Sequence, residues 1–256
     1  NYSVSILTNI SALSTDLVVD AVFDFFGALK NTSVQNAVTV KQVDASILDT
    51  VIDKINVSIT RSTPEAYLLS TNPQSNNSLL VGASFYASVG GKSITNQDNV
   101  IPQITNISAA AVISDELTLE NLAFLKILII DQPDNLRLYD TNETMLSSSV
   151  ISMGTEPQVD NITVALYFTI TFNNDIIDPR DLSKLQCSFW ENATRTWDNT
   201  GCGTPTPMAN ITPSQLVYRC ECNHLTTFAL IWLPLTETSR KNIMYVQLSD
   251  LLLKLF

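Results

Sequence analysis

The sequence is poor in charge, and poorest in positive charge. Charged residues are 15% of the 256, and the 25 Asp and Glu outnumber the 14 Lys and Arg, for a formal net charge of −11. The cations are scattered, with only Arg240 and Lys241 adjacent. Such a chain offers no positive surface to a phosphate backbone or an anionic bilayer, which excludes nucleic acid and anionic lipid as partners. Also missing is any run of about 18 apolar residues, so no segment is expected to span a membrane. The start, Asn1-Tyr2-Ser3, is already polar and has no signal-peptide pattern; it reads as the start of a mature or excised fragment. There is one histidine and no Gly-x-Ser-x-Gly elbow, which leaves little support for a hydrolase acting on other molecules.

What is present is an ordinary globular composition, 45% hydrophobic, and enough chain for a sizeable core in one large β domain or two smaller ones. Asn-x-Ser/Thr acceptors occur at Asn1, Asn9, Asn31, Asn56, Asn76, Asn106, Asn142, Asn161, Asn192 and Asn210. Chance would supply roughly half as many, so the pattern favours a glycosylated protein of the secretory pathway.

Organisation changes along the chain. Leu13, Leu17, Ala21, Phe25 and Ala28 recur at helical spacing, with Ser11 or Ser14 available as N-cap. Val40, Val43, Ile47, Val51 and Ile55 repeat the pattern, so two amphipathic helices are predicted, joined by a polar turn at 31–33. From about Thr60 the period becomes two. In 162–172, Ile162, Val164, Leu166, Phe168, Ile170 and Phe172 share one face, which predicts a strand with that face in a core. Further strands are predicted at 78–89, 107–113 and 124–130. Turns are predicted at Asn72-Pro73, Gly90-Gly91, 131–135 and Asp178-Pro179. The expected fold class is α+β, mainly β: a short N-terminal helical part followed by an antiparallel β-sandwich.

All four cysteines lie late, at Cys187, Cys202, Cys220 and Cys222. An even number among so many sequons suggests two disulfides. Cys220 and Cys222 point to one face of a strand and are too close to bridge each other, so each reaches back to Cys187 or Cys202, in either of two pairings. Their spacing fits a zinc site with His224 poorly, and no metal or cofactor is expected. Phe189, Trp190 and Trp197, between the first two cysteines, are expected to form a small satellite core that holds the segment rigid.

His224 stands two residues before Thr226. If the chain is extended here, imidazole and hydroxyl share a face and approach each other. Neutral His224 would then accept the Thr226 hydroxyl proton, and the oxygen would attack the carbonyl of Leu225. The anchored cysteines on one side and the apolar run 228–233 on the other could store strain at that bond.

Cys187-Ser188-Phe189-Trp190, Trp197, Gly201-Cys202, Cys220-Glu221-Cys222-Asn223-His224-Leu225-Thr226 and Phe228-Ala229-Leu230 together resemble the GPCR proteolysis site (GPS) motif. In that family the motif ends a GAIN domain, found in adhesion G-protein-coupled receptors and in polycystin-type proteins. The resemblance implies a partial helical subdomain at 1–58, a β-sandwich subdomain at 59–234 with the motif at 186–233, and a linker towards the membrane or an appended tail at 235–256. It implies disulfides joining Cys187 to Cys220 and Cys202 to Cys222, and a cut between Leu225 and Thr226 with His224 as base and Thr226 as nucleophile. The two fragments would stay associated at the extracellular face of the plasma membrane. The strand Thr226, Thr227, Phe228, Ala229, Leu230, Ile231, Trp232 would serve as a tethered agonist, with Trp232 where many members carry Met. Implied partners are the chain's own C-terminal fragment, a transmembrane receptor portion and an extracellular protein ligand.

Overall fold

The computed structural model describes residues 14–31, 45–74, 78–97, 107–131, 145–146, 148–171, 185–208 and 215–233. Two helices come first, α1 (Thr15–Asn31) and α2 (Ser46–Lys54). In α1 the buried side chains are Val18, Val19, Ala21, Val22 and Phe23, whereas Leu17 is 56% exposed. The buried arc thus lies one position on from the predicted stripe. Asp16, Asp20 and Asp24 recur at the same spacing and are exposed, so they mark the outward face, and Leu17 lies beside them. Arg61 pairs with Asp20 and lies 4.7 Å over the Phe23 ring, tying α1 to the first strand. In α2, Leu48, Val51 and Ile52 are buried, as is Ile55 just beyond its end. Leu13, Val40 and Val43 lie outside the described residues.

The strands follow as β1 (Ile59–Ser62), β2 (Ala66–Thr71), β3 (Leu80–Tyr86), β4 (Gly90–Thr95) and β5 (Ile107–Ile113). A one-turn helix α3 (Glu116–Leu119) precedes β6 (Phe124–Ile130). Then come β7 (Met145–Leu146), β8 (Val150–Glu156), β9 (Val164–Thr171), β10 (Leu185–Glu191), β11 (Thr196–Asp198), β12 (Thr206–Pro207), β13 (Gln215–Cys222) and β14 (Thr227–Trp232). They form two sheets. The first runs β1-β2-β6-β8-β14-β10-β11, with β7 also paired to β14, and the second β12-β13-β9-β5-β3-β4.

The predicted strands 107–113 and 124–130 are β5 and β6. Asn72 makes the expected turn, its side chain accepting from the Gln74 amide at 2.8 Å. Gly90-Gly91 differs from expectation: the turn is at 87–89, and both glycines open β4. A Cβ on Gly91 would sit 1.8 Å from the Tyr67 ring, so glycine there permits close approach of the two sheets. Asp178-Pro179 lies outside the described residues.

Alternation along each strand divides the core in two. Between the sheets pack Leu69, Ile127, Ile151, Phe228 and Leu230 from the first and Phe85, Ala109, Leu166, Phe168 and Tyr218 from the second. On the outer face of the first sheet, Leu68, Leu128, Val150, Ala229 and Ile231 meet Val18, Val22, Leu48, Ile52 and Ile55 of the helices. The layers are therefore helices, sheet, sheet, and β14 is buried on both faces. The prediction that the 162–172 strand has one buried face needs correction. Ala165, Tyr167 and Thr169 are buried as well, because β9 is flanked by β13 and β5, whose Arg219 and Ala110 stand beside Tyr167.

Candidate functional site

The segment Asn223-His224-Leu225-Thr226 carries the chain from β13 in the second sheet to β14 in the first. Four residues must span two packed sheets, about 10 Å apart, so a sharp bend is forced. Both ends of it are held. Cys220 is bonded to Cys187 on β10, linking the sheets, and Cys222 is bonded to Cys202. The Asn223 amide donates to the Gly201 carbonyl at 3.0 Å, and the Gly203 amide to the Glu221 carbonyl at 2.7 Å. On the far side, the Met153 amide donates to the Thr226 carbonyl at 2.9 Å, and β14 pairs with β8 and β10.

Imidazole and hydroxyl both line one cavity, yet no hydrogen bond joins them. The Thr226 hydroxyl donates to Asp49 Oδ2 at 3.2 Å, so its one proton is not directed at His224. His224 Nδ1 lies 3.1 Å from Asn223 Oδ1, while its Nε2 is buried with no hydrogen-bond partner. An acceptor oxygen at Nδ1 selects the tautomer protonated there and leaves the Nε2 lone pair free as a base. The ring sits edge-on to Phe189, with centroids 4.5 Å apart, and 5.6 Å from Phe228. Burial in this aromatic corner lowers the imidazole pKa below 6.5, with the charge of Glu191 opposing it.

The three rings between the first cysteines do not form a single satellite core. Trp190 and Trp197 are cross-strand partners with centroids 5.4 Å apart, and both pack in the helix-side core. Phe189, one residue out of phase with Trp190, faces the other way, to His224.

Asp49 had no place in the sequence expectations, yet it collects the most contacts at the site. Its Oδ1 accepts from Thr227 at 2.6 Å and from Ser152 at 3.4 Å, and its Oδ2 accepts from Asn192 at 3.2 Å besides Thr226. Partial burial raises the Asp49 pKa, and hydrogen bonds from Thr227, Asn192 and Thr226 act against that rise. A signal was there to find: Ala45, Leu48, Asp49 and Ile52 follow the i, i+3, i+4, i+7 stripe of α2, so the acid lies on its inward side. A cavity of about 630 Å³ opens beside these groups, lined among others by Asp49, Asp160, Asn192, His224, Leu225 and Thr226. Both residues of the Leu225–Thr226 bond are among its lining. Among the described residues no group of three or more His, Cys, Asp or Glu could hold a metal ion.

Gly201 makes room for this arrangement. Its φ is +80°, and a Cβ there would lie 2.3 Å from Asn223 Oδ1 and 3.2 Å from His224 Nδ1. Gly201→Ala is therefore expected to lose about 1–3 kcal/mol of stability through backbone strain and to break the Asn223–His224 contact. Thermal unfolding measures the first effect. The ring-nitrogen shifts of the lone histidine report the second, and unchanged shifts would mean that Asn223 does not set the tautomer.

Of the sequon asparagines, Asn56, Asn161 and Asn192 are exposed. Asn31 ends α1, its side chain undescribed, and the other six lie outside the described residues, as do 234–256.

Comparison with known proteins fits this architecture. The family model described as GPS, GAIN subdomain B, matches residues 28–234. Among solved structures, the full extracellular region of zebrafish Gpr126/Adgrg6 is similar at 18% identity and a TM-score of 0.43. That likeness covers 87% of this chain and 28% of the other, so the chain spans little over a quarter of the protein it resembles. With four-fifths of its length inside the family match, the chain belongs to the GPS, GAIN subdomain B family.

Proposed function

We propose that this chain is an extracellular GAIN domain of an adhesion-receptor type that cuts its own backbone once, between Leu225 and Thr226. The observation that carries the reading is the setting of His224: its Nδ1 lies 3.1 Å from Asn223 Oδ1 and its Nε2 is buried without a hydrogen-bond partner, two residues before the Thr226 hydroxyl. The reaction begins when the Thr226 hydroxyl turns from Asp49 to Nε2. His224 takes the proton, Thr226 Oγ1 bonds to the Leu225 carbonyl carbon, and the C–N bond breaks as the proton passes to the Thr226 nitrogen. Water from the adjoining cavity then hydrolyses the ester.

The two pieces would remain together because β14, the first strand of the new fragment, is hydrogen-bonded on both edges and buried on both faces. Once withdrawn, Thr226–Trp232 would act as the tethered agonist of the membrane portion. The sequons and the family support a place on the outer face of the plasma membrane, with an extracellular protein as further ligand. Polycystin-type parentage carries the same chemistry.

A second reading has its own observation. The bond from Thr226 to Asp49 holds the nucleophile away from the base, which favours a non-cleaving structural module. Protein secreted from eukaryotic cells separates the two on a denaturing gel with intact-mass analysis. The wild type is expected as 1–225 plus a fragment beginning at Thr226, and Thr226→Ala is expected whole. A wild type that stays whole with its disulfides formed sinks the self-cleavage reading and leaves the non-cleaving module.

A further inference from the structure

Asp49 and Thr226, the residue before β14, are 177 residues apart in sequence, yet a hydrogen bond joins them. The Asp49 carboxylate accepts four side-chain hydrogen bonds from three directions: Ser152 on β8, Asn192 just past β10, and Thr226 and Thr227 at the head of β14. Thr227 Oγ1 and Ser152 Oγ also lie 3.0 Å apart, so these two hydroxyls, with two protons between them, share three contacts, of which the 2.6 Å one from Thr227 to Asp49 is the shortest. We propose that Asp49 is the anchor by which α2 holds the head of β14: it carries the Thr226 and Thr227 hydroxyls in the whole chain, and takes the Thr226 ammonium once the chain is cut. The second half of this proposal rests on the self-cleavage reading; the first does not.

Cutting adds one water across the Leu225–Thr226 bond. Leu225 becomes a carboxylate, and the Thr226 nitrogen becomes an amine that takes up the proton the new acid releases. Asp49 and the amine then belong to different fragments, 1–225 and the piece starting at Thr226. The other titratable groups lining the cavity are Asp53, Asp160 and His224. Two of these three are acidic, as is the new Leu225 terminus, so the surroundings favour a cation, and Asp49 is the carboxylate already hydrogen-bonded to Thr226. A half-buried carboxylate with only neutral donors gains most from a new positive partner, because charge-assisted hydrogen bonds are the strong ones. Anchoring from α2 also means that whatever displaces the helical layer loosens the strand at its N-terminal end first.

The test compares wild type, Asp49→Asn, which keeps the shape and removes the charge, and Thr227→Val, which removes one donor and keeps the charge. In cut protein, the Thr226 α-amine should titrate above the ordinary range of about 8, read by the pH dependence of its acylation. Asp49→Asn should return it to that range, which a merely structural role would not do, while Thr227→Val leaves it raised. Release of the C-terminal fragment in mild denaturant should be about tenfold faster in both variants, the scale of one charge-assisted hydrogen bond. An amine with an ordinary pKa in the wild type, or equal release rates, overturns the ammonium half. Should the wild type, or Asp49→Asn alone, stay whole, amide exchange at Thr227 and Phe228 decides the anchor. Exchange about tenfold faster in Asp49→Asn, or in Thr227→Val if the former does not fold, supports it, and unchanged exchange overturns it. A whole wild type with faster exchange in the variant would overturn self-cleavage alone.

Discussion

His224→Ala is expected to slow cutting by about 10²-fold or more, the usual contribution of a positioned general base, so that freshly secreted protein runs as one chain. The ring does two things that alanine cannot. It presents an unprotonated nitrogen, and it fills the corner between Phe189 and Phe228. His224→Gln separates these, since it restores volume and polarity but not basicity, and it should be as slow as alanine. The pH profile carries the same information. Burial holds the His224 pKa below that of a free imidazole, so the neutral base persists on acidification. The cutting rate is expected to hold its plateau down through about pH 6.5 and to fall only below it. The linkage has the matching sign. On acidification the unfolded chain takes up this proton before the folded one does, so His224 subtracts stability as pH falls below the unfolded value. A rate that already halves near pH 6.5 would place the controlling group elsewhere. A variant that cuts at the wild-type rate would shift the role of base to Asp49, which accepts the Thr226 proton at rest.

The second large effect is expected at Phe228. Its side chain is fully buried between the sheets, and its strand partners are Ile151 on β8 and Phe189 on β10. Phe228→Ala removes the whole ring from a closed site and should cost about 3–5 kcal/mol. That is a large part of the roughly 5–15 kcal/mol available to a domain, and it lowers the thermal midpoint by about 10 °C. Differential scanning calorimetry of the Thr226→Ala background measures it without interference from cutting. The cavity would also open beside His224, so Phe228→Ala in the cutting-competent chain should lose both fold and reaction. A midpoint shift under about 2 °C would mean that the site collapses around the missing ring, contrary to its position between two hydrogen-bonded neighbours.

Legibility in the sequence followed the range of the interactions. Strands at 107–113 and 124–130 were readable because short apolar runs between turn signals are local facts. The two helices are readable as helices, and the face that α1 buries is legible too once Asp16, Asp20 and Asp24 are read as its outward stripe, which sets Leu17 outside and Val18 inside. Gly90-Gly91 looked like a turn for the usual reason, glycine's freedom; the need for a bare backbone against Tyr67 is a contact across the sandwich.

By itself the sequence determined the order of parts and the identity of the chemistry. Four cysteines, the tryptophans and His224-Leu225-Thr226 in that order carry the resemblance to the family and show which strand follows, while the cysteine spacing by itself leaves two pairings open. The tertiary structure alone decided how His224 and Thr226 stand. The jump between sheets at 223–226 leaves His224 Nδ1 beside Asn223 and Gly201, and Asp49 arrives from a helix 177 residues away to accept from the Thr226 hydroxyl. No periodicity encodes such a meeting, because it depends on which layers pack together. It is fixed only when β14 is buried between its neighbours and α2 closes over it.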